Sequence, residues 1–297
     1  TTVTRSTPVT TFAGGTNWKQ VSSGVSHNTA IKTDGTLWTW GTNTNGGLGD
    51  NTTVTRSTPV TTFAGGTNWR QVSCGQLHTA ALKTDGTLWT WGYNNNGQLG
   101  VNDTNNRTTP VTTFAGGTNW RQVSCGTANI AAIKTDGTLW TWGANGSGQI
   151  GDNTSTQRNT PVTTFAGGTN WKQVIAGSSY MSSIKTDGTL WTWGSNQFAQ
   201  LGDNTTTNRS TPVTTFAGGT NWKQVAGGAG SIHTSAIKTD GTLWVWGNNI
   251  SGELGVNDAN NRSTPVTTFL GGTNWKQVFN SNNNTAAVTA GFNVDLS

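Results

Sequence analysis

The chain has 297 residues, only 31% of them hydrophobic, and contains 41 glycines and 16 tryptophans. No apolar run reaches the roughly 18 residues that a membrane span needs, so the sequence predicts no transmembrane segment. The formal net charge is +5, but all 17 basic residues fall in three evenly repeated columns. The charge is therefore spread around the molecule, and we expect no dedicated nucleic-acid groove.

One sequence unit recurs six times. The tryptophan of a Gly-Thr-Asn-Trp motif returns after 51 residues four times and after 53 residues the last time, at positions 18, 69, 120, 171, 222 and 275. Units of this length are typical of propeller blades. Residues 1–18 are identical to residues 52–69 and the chain does not begin with Met, so we expect a processed product or a piece of a longer array.

Each unit contains four strand-like runs separated by turn signals. In the second unit they are RQVSC (70–74), TAALK (79–83), TLWTW (87–91) and TPVTTF (109–114), rich in Thr, Val and Trp. The Asp-Gly pair in KTDGT predicts a tight hairpin turn. Alternation in TLWTW places both tryptophans on one face and leucine on the other. Bulk on both faces indicates four-stranded antiparallel blades packed on both sides, in an all-β propeller.

The two ends of the chain are complementary parts of one unit. FNVDLS (292–297) stands where a third strand belongs and no fourth follows, whereas TPVTTF (7–12) is a fourth strand without a blade. Their pairing would leave no long unpaired edge. We therefore expect a single domain over residues 1–297, a six-bladed β-propeller. In this ring, residues 1–13 complete the blade formed by residues 272–297.

The candidate chemical groups are sparse and regularly spaced. One column, just after the first strand of each unit, holds His27, His78, Asn129, Tyr180, His233 and Asn284. We expect these to be turn residues that hydrogen-bond to nearby backbone. Cys74 and Cys125 share another column on neighbouring blades, and we expect free thiols.

No nucleophile–base pair or carboxylate pair stands out, so we expect no enzyme activity and no cofactor. The acidic loops GDNTT (49–53) and GVNDTNN (100–106) predict Asx turns. Calcium binding is the alternative for these loops, although they lack EF-hand spacing.

The unit resembles the regulator of chromosome condensation repeat. Residues 73–98, SCGQLHTAALKTDGTLWTWGYNNNGQ, followed by Leu-Gly, are similar to that family's CGxxHT, DG and WGxNxxGQLG pattern. The resemblance covers essentially the whole chain. It implies a propeller, usually of seven blades and often closed by exchange between the chain ends. The founding member of that family is a guanine-nucleotide exchange factor that also binds chromatin. Similar arrays also resemble bacterial and marine phage structural proteins.

The repeats differ from one another mainly on one predicted face. Strands that alternate in direction place the first–second and third–fourth connections on the same face, and these loops vary, whereas KTDGT and AGGTNW on the other face scarcely do. The loop residues include large apolar groups that predict recognition. The candidate binding residues are His27, Gln76, His78, Tyr93, Asn129, Tyr180, Met181, Phe198, Ile232, His233, Ile250 and Asn283.

Three functions follow as hypotheses. The favoured one is a non-catalytic module that binds a protein or glycan on a virion, such as a phage tail, or on a bacterial surface. The favoured localisation is accordingly the virion or cell surface rather than the cytoplasm. The second is a guanine-nucleotide exchange factor or chromatin adaptor, with a small GTPase as partner. The third is a purely structural or designed repeat ring.

Overall fold

The computed structural model describes Thr11 and residues 14–290. In this part of the chain the fold is all-β, as predicted, with 22 strands. No helix in it is long and apolar enough to cross a membrane. The strands form five four-stranded antiparallel sheets and one two-stranded sheet. We call these blades 1 to 5 and the sixth blade.

Blade 1 consists of β1 (Trp18–Ser23), β2 (His27–Lys32), β3 (Leu37–Gly41) and β4 (Arg56–Thr61). Blade 2 consists of β5 (Trp69–Cys74), β6 (His78–Lys83), β7 (Leu88–Gly92) and β8 (Arg107–Thr112). Blade 3 consists of β9 (Trp120–Cys125), β10 (Asn129–Lys134), β11 (Leu139–Gly143) and β12 (Arg158–Thr163). Blade 4 consists of β13 (Trp171–Ala176), β14 (Tyr180–Lys185), β15 (Leu190–Gly194) and β16 (Arg209–Thr214). Blade 5 consists of β17 (Trp222–Ala226), β18 (His233–Lys238), β19 (Leu243–Gly247) and β20 (Arg262–Thr267). The sixth blade consists of β21 (Trp275–Asn280) and β22 (Thr285–Thr289).

Strands within a blade are hydrogen-bonded in chain order, so each is a meander. The three inner strands match the predicted runs closely. The outermost strand of blade 2 begins and ends two residues before the predicted segment 109–114, because Phe114 N leaves the ladder and donates to Gly100 O at 2.8 Å. Both segments expected to close the ring, 7–12 and 292–297, contain residues outside the described part. No ladder among the described strands closes the ring.

Turn chemistry explains the hairpin between the second and third strands. Gly35 has a φ of +80°, which glycine adopts without strain. A Cβ there would stand 2.0 Å from Thr67 O of the adjoining connection. Asp34 Oδ1 accepts hydrogen bonds from Thr36 N at 2.9 Å and Thr36 Oγ1 at 2.7 Å. The Asp-Gly turn predicted from the sequence is confirmed.

The core lies between blades. Trp69 and Trp91 of blade 2 pack in one cluster with Ile31 and Leu37 of blade 1, so the tryptophan face of one blade covers the leucine face of the blade before it. Equivalent clusters join the later blades. A buried indole removes on the order of 150–250 Å² from water. The expectation that both faces of a blade are packed is confirmed.

A lysine cation stands between two indoles in every complete blade. Lys83 Nζ lies 4.7 Å from the Trp69 ring centroid and 4.6 Å from the Trp89 centroid. The other four copies show the same arrangement at Lys32, Lys134, Lys185 and Lys238. Cation–π attraction at such distances contributes about 0.5–1 kcal/mol in exposed sites. One of the three basic columns is therefore used within the fold.

A glutamine on each inner strand binds the main chain of the next blade. Gln122 Nε2 donates to Val174 O at 2.9 Å, and Val174 N donates to Gln122 Oε1 at 3.1 Å. We call this reciprocal pair the glutamine clamp. It occurs at five junctions, formed by Gln20–Val72, Gln71–Val123, Gln122–Val174, Gln173–Val225 and Gln224–Val278.

Replacing Gln122 with leucine should therefore lower stability, because the peptide groups of Val174 would lose both partners while remaining between blades. The expected loss is about 1–3 kcal/mol, seen as a lower thermal midpoint in circular dichroism. Gln197→Leu is the matched control, since Gln197 lies on the exposed rim. Equal melting of the two variants would contradict the role of the clamp.

Candidate recognition rim

The first–second and third–fourth connections of each complete blade do share one face. Tyr93 N in the outer loop of blade 2 donates to Leu77 O in its inner loop at 3.0 Å, and Ala144 N donates to Ala128 O at 2.9 Å in blade 3. We call this surface the variable rim. It comprises residues 24–26, 42–55, 75–77, 93–106, 126–128, 144–157, 177–179, 195–208, 227–232, 248–261 and 281–284.

The inner loops also touch across blades. Ser178 N donates to Ser231 O at 2.9 Å, and Gly230 N donates to Thr127 Oγ1 at 3.2 Å. These contacts join loops of blades 3, 4 and 5. The inner loops of these three blades therefore form one continuous surface rather than separate loops.

A buried asparagine organises the outer loop of each complete blade. In blade 2, Asn94 Oδ1 accepts from Leu99 N at 2.9 Å and Asn94 Nδ2 donates to Asp103 O at 3.0 Å. Asp103 Oδ1 accepts from Asn105 N at 2.9 Å, which confirms the predicted Asx turn. Arg107 pairs with the second carboxylate oxygen. Both oxygens are thus already engaged, which favours the turn over the calcium alternative.

Six of the candidate binding residues lie on the rim surface. Gln76, Ile250 and Asn283 are exposed, and 68% of Ile250 is open to solvent. Tyr93, Phe198 and Ile232 are half-buried. These six are available to a partner.

The other six are buried, so the expectation that they contact a partner is wrong. His27, His78, Asn129, Tyr180, Met181 and His233 are each 0–1% exposed. Met181 belongs to the core cluster of blades 3 and 4, and Tyr180 to that of blades 4 and 5. Their variation among repeats reflects packing between blades.

The histidine column begins the second strand and bonds across the blade junction, not to nearby backbone as predicted. His27 Nε2 lies 2.8 Å from Thr79 Oγ1 of blade 2. His233 Nε2 lies 3.0 Å from Thr285 Oγ1 of the sixth blade. Tyr180 accepts a hydrogen bond from Thr234 Oγ1 at 3.0 Å. In these three cases the partner is the threonine after the column residue of the next blade.

Two column residues face an apolar side chain instead. Where the next blade has Ile130 or Met181 at the threonine position, the ring nitrogens of His78 and the side-chain amide of Asn129 have no protein partner. Both residues are fully buried. Burial without a hydrogen bond costs roughly 1–3 kcal/mol per polar group. The column therefore stabilises some junctions and weakens others.

Burial also holds these histidines neutral. It lowers the pKa of His27 to about 4. It lowers the pKa of His78 to about 3, with a further contribution from His27. It lowers the pKa of His233 to about 4, partly opposed by Glu253. An unfolded histidine titrates near 6.5, so the unfolded chain takes up protons first as the pH falls.

Stability should therefore be full above pH 6.5 and fall as the pH drops towards 4, by up to about 1.4 kcal/mol per pH unit for each histidine. The variant His78→Asn, which places the blade 3 residue in blade 2, should lose less stability over this range than the wild type. Urea unfolding at pH 7.5, 6, 5 and 4.5 measures the difference. Gln76→Asn, next to the same strand but without a titrating group, serves as the control. Identical slopes for wild type and His78→Asn would contradict this prediction.

The two cysteines are free and buried, which confirms the prediction of unpaired thiols. Burial raises the pKa of Cys74 to about 11 and that of Cys125 further, so neither is ionised near neutrality. Both border a pocket of about 570 Å³ lined by inner strands and inner loops. A raised thiol pKa excludes a reactive thiolate there.

One exposed apolar group was missed by the sequence analysis. A phenylalanine follows the outermost strand of each complete blade and is 66–71% exposed, at Phe63, Phe114, Phe165, Phe216 and Phe269. We call these five residues the phenylalanine row. The row does not vary between repeats, so it is the rival to the variable rim as a contact surface. Its sequence signal is the unvarying phenylalanine at the end of the predicted strand TPVTTF.

Stacked four-stranded blades with one variable rim define a propeller-type repeat protein. The chain belongs to the RCC1-like domain family, whose model matches residues 1–294. This agrees with the repeat resemblance stated above. The comparison with phage structural arrays receives no support.

Curated relatives include the ultraviolet-B receptor UVR8 of Arabidopsis thaliana and the E3 ubiquitin-protein ligase HERC2 of Homo sapiens. UVR8 is 31% identical over 252 residues, which are 83% of this chain and 57% of UVR8. HERC2 is 30% identical over 240 residues, which are 79% of this chain and 5% of HERC2. The chain thus spans little more than half of the first relative and a small part of the second.

Solved structures share the fold. Human WBSCR16 has a TM-score of 0.80 at 23% identity, covering 92% of this chain and 72% of that one. Yeast RCC1 (Prp20), solved bound to Kap60, has a TM-score of 0.79 at 19% identity, covering 92% and 68%. At these identities the likeness concerns the fold alone.

Proposed function

We propose that the protein is a non-catalytic interaction module that binds a protein partner through the variable rim. The observation that carries this is the concentration of exposed differences between repeats on the variable rim; off the rim, the largest exception is Leu270, which is 81% exposed where the other repeats have alanine. Tyr93, Phe198 and Ile250 lie on the rim at equivalent loops of blades 2, 4 and 5. Aromatic and apolar side chains among asparagine and serine residues are typical anchors of a protein interface.

The relatives support a binding role. Yeast RCC1 has been solved with the protein Kap60, and another solved form of it is described with binding to Gsp1p and histones. These properties belong to those proteins. For this chain we propose a protein partner, with a glycan or virion receptor as the finer hypothesis. Location on a virion or cell surface follows only from that finer hypothesis, and immunogold labelling of intact particles and cells tests it.

The rim is tested with two triple variants of the same kind. The rim variant carries Tyr93→Ser, Phe198→Ser and Ile250→Ser, and the row variant carries Phe114→Ser, Phe165→Ser and Phe216→Ser. Each variant and the wild type are immobilised separately and incubated with an extract of the cells that produce the protein. The proteins that they retain are quantified by mass spectrometry. We expect partners of the wild type to remain on the row variant and to fall at least about tenfold on the rim variant, a loss of roughly 1.4 kcal/mol.

Circular dichroism must first show that both variants melt like the wild type. Loss of partners from the row variant alone would assign recognition to the phenylalanine row. Binding to a glycan array without protein capture would replace the protein partner with a carbohydrate. The exchange-factor alternative predicts accelerated release of labelled GDP from a small GTPase. Unchanged capture by both variants would leave the structural ring as the function.

We further propose that the six repeats close into a ring, with the N-terminal strand completing the sixth blade. Two described residues support this. Gln277 carries the same side chain as the five clamps but is exposed, and Val21 stands in the clamped position of blade 1 but is 67% exposed. In every other junction the two residue types meet. A closed ring would join Gln277 to the main chain of Val21.

Gln277→Leu distinguishes a closed ring from an open array. In a closed ring it should lower the thermal midpoint as much as Gln122→Leu does, because a sixth clamp is lost. In an open array Gln277 has nothing to bind, and the variant should melt like the wild type. The second result would overturn ring closure.

A further inference from the structure

The side of the blades opposite the variable rim is nearly the same in every repeat, and we call it the invariant face. It consists of the connections from the second to the third strand and from one blade to the next, with the strand ends that adjoin them. These connections are residues 33–36, 62–68, 84–87, 113–119, 135–138, 164–170, 186–189, 215–221, 239–242 and 268–274. Among them, Leu270 alone differs from its equivalents.

The variable rim carries almost no net charge. Five aspartates of the outer loops each pair with the arginine that begins the fourth strand. The pairs are Asp50–Arg56, Asp103–Arg107, Asp152–Arg158, Asp203–Arg209 and Asp258–Arg262. Glu253 is the one further charged group among the described rim residues, and it is buried. The formal charge of the rim is therefore −1.

The positive charge lies on the invariant face instead. The last residue of the second strand is a lysine in every complete blade, and Lys32 pairs in register with Trp18. The basic residue that follows this tryptophan in each unit therefore lies at the same end of the blade. These two columns supply eleven basic side chains, against five aspartates of the Asp-Gly turns, a formal charge of +6. Arg5 and Asp295, outside the described residues, cancel each other. The charge is thus even among the blades but concentrated on one of their two faces.

Several of these cations reach solvent. Lys19, Arg121, Lys172, Lys223 and Lys276 are exposed. Their column holds lysine in four units and arginine in two, so the positive charge is kept where the side chain changes. An uneven charge distribution of this kind turns a protein so that its positive side meets a negative partner.

The phenylalanine row borders the same face. Thr113 N donates to Leu88 O at 3.4 Å, and Leu88 is the first residue of the third strand. Phe114 follows directly, so it begins the connection on the invariant face. The five phenylalanines are 66–71% exposed, one in each complete blade. Apolar side chains beside cations are typical of surfaces that bind at the boundary between lipid and water.

We propose that the invariant face is a docking surface for an anionic phospholipid bilayer. The cations lie against the phosphate headgroups, and the phenylalanine side chains enter the boundary between headgroups and acyl chains. A flat bilayer meets the groups of several blades at once. A nucleic-acid or polysaccharide strand would instead need a continuous groove, whereas these groups are distributed as one set per blade. The docked protein turns its variable rim away from the bilayer, so both surfaces can be occupied together.

Sedimentation of the full chain with sucrose-loaded vesicles tests this proposal. One set of vesicles contains phosphatidylglycerol and phosphatidylcholine in equal amounts, and the other contains phosphatidylcholine alone. We expect binding to the anionic vesicles, and at least about tenfold weaker binding to the neutral ones. Binding to the anionic vesicles should weaken as salt is raised from about 0.1 M to about 1 M, because the screening length falls from about 10 Å to about 3 Å.

Two triple variants separate the charge of this face from the net charge of the chain. The lysine variant carries Lys172→Gln, Lys223→Gln and Lys276→Gln. The rim-charge variant carries Thr55→Asp, Ser155→Asp and Thr206→Asp at exposed positions, and it lowers the net charge by the same amount. The lysine variant should bind anionic vesicles at least about tenfold more weakly than the wild type. The rim-charge variant should bind like the wild type, because its new charges lie beyond the screening length.

The row variant tests the apolar contribution. It should also bind anionic vesicles more weakly than the wild type, since less apolar surface enters the bilayer. Circular dichroism first establishes that each variant melts like the wild type. Equal loss in the lysine and rim-charge variants, full binding by the row variant, equal binding to both kinds of vesicle, or no binding to either would each overturn the proposal. Binding to duplex DNA or heparin without binding to vesicles would overturn it in favour of an anionic polymer.

Discussion

Neighbouring blades are held in register by a glutamine side chain that hydrogen-bonds to the main chain of the next blade. Each glutamine clamp satisfies both peptide groups of a valine in the next inner strand, where unpaired groups would be costly. Indole packing completes each junction and the lysine cations stand between two indoles within each complete blade, but the clamp fixes how far one inner strand lies along the next. Since every blade contacts mainly its neighbours, stability is close to a sum over junctions. The variable rim depends on this register, because it brings loops of separate blades to one surface.

Most of the fold could be predicted because its determinants are local. The period of the tryptophans, the Asp-Gly turn and the alternation in TLWTW each act within a few residues of one another. The shift of the outermost strand could not be predicted, since it depends on Phe114 N meeting Gly100 O from a separate loop. The clamp was overlooked although its glutamine is present in all six units. A glutamine that does not vary within a predicted strand was the available signal.

The candidate site could be predicted only in part. Variation between repeats identified loops that the structure places on one face, but it also included Tyr180 and Met181, which vary because each must fit its neighbour across a buried junction. When the units are aligned position by position, two buried residues that contact each other across a junction vary as much as residues of an exposed loop. Comparing each unit with the next would have separated them, because His27, Tyr180 and His233 each meet a threonine of the following blade.

The clamp and the histidine column have opposite consequences for the history of such an array. The clamp bonds only to peptide groups, which every unit has, so it forms with any neighbouring unit. Whole units can therefore be duplicated, lost or exchanged by recombination without loss of the hydrogen bonds between inner strands. The column does not allow this freedom, because its histidine needs a threonine in the adjoining unit. His78 opposite Ile130 and Asn129 opposite Met181 are the kind of mismatch that shuffling of units produces. The same junctions thus combine the glutamine clamp, which does not depend on the order of the units, with the histidine column, which does.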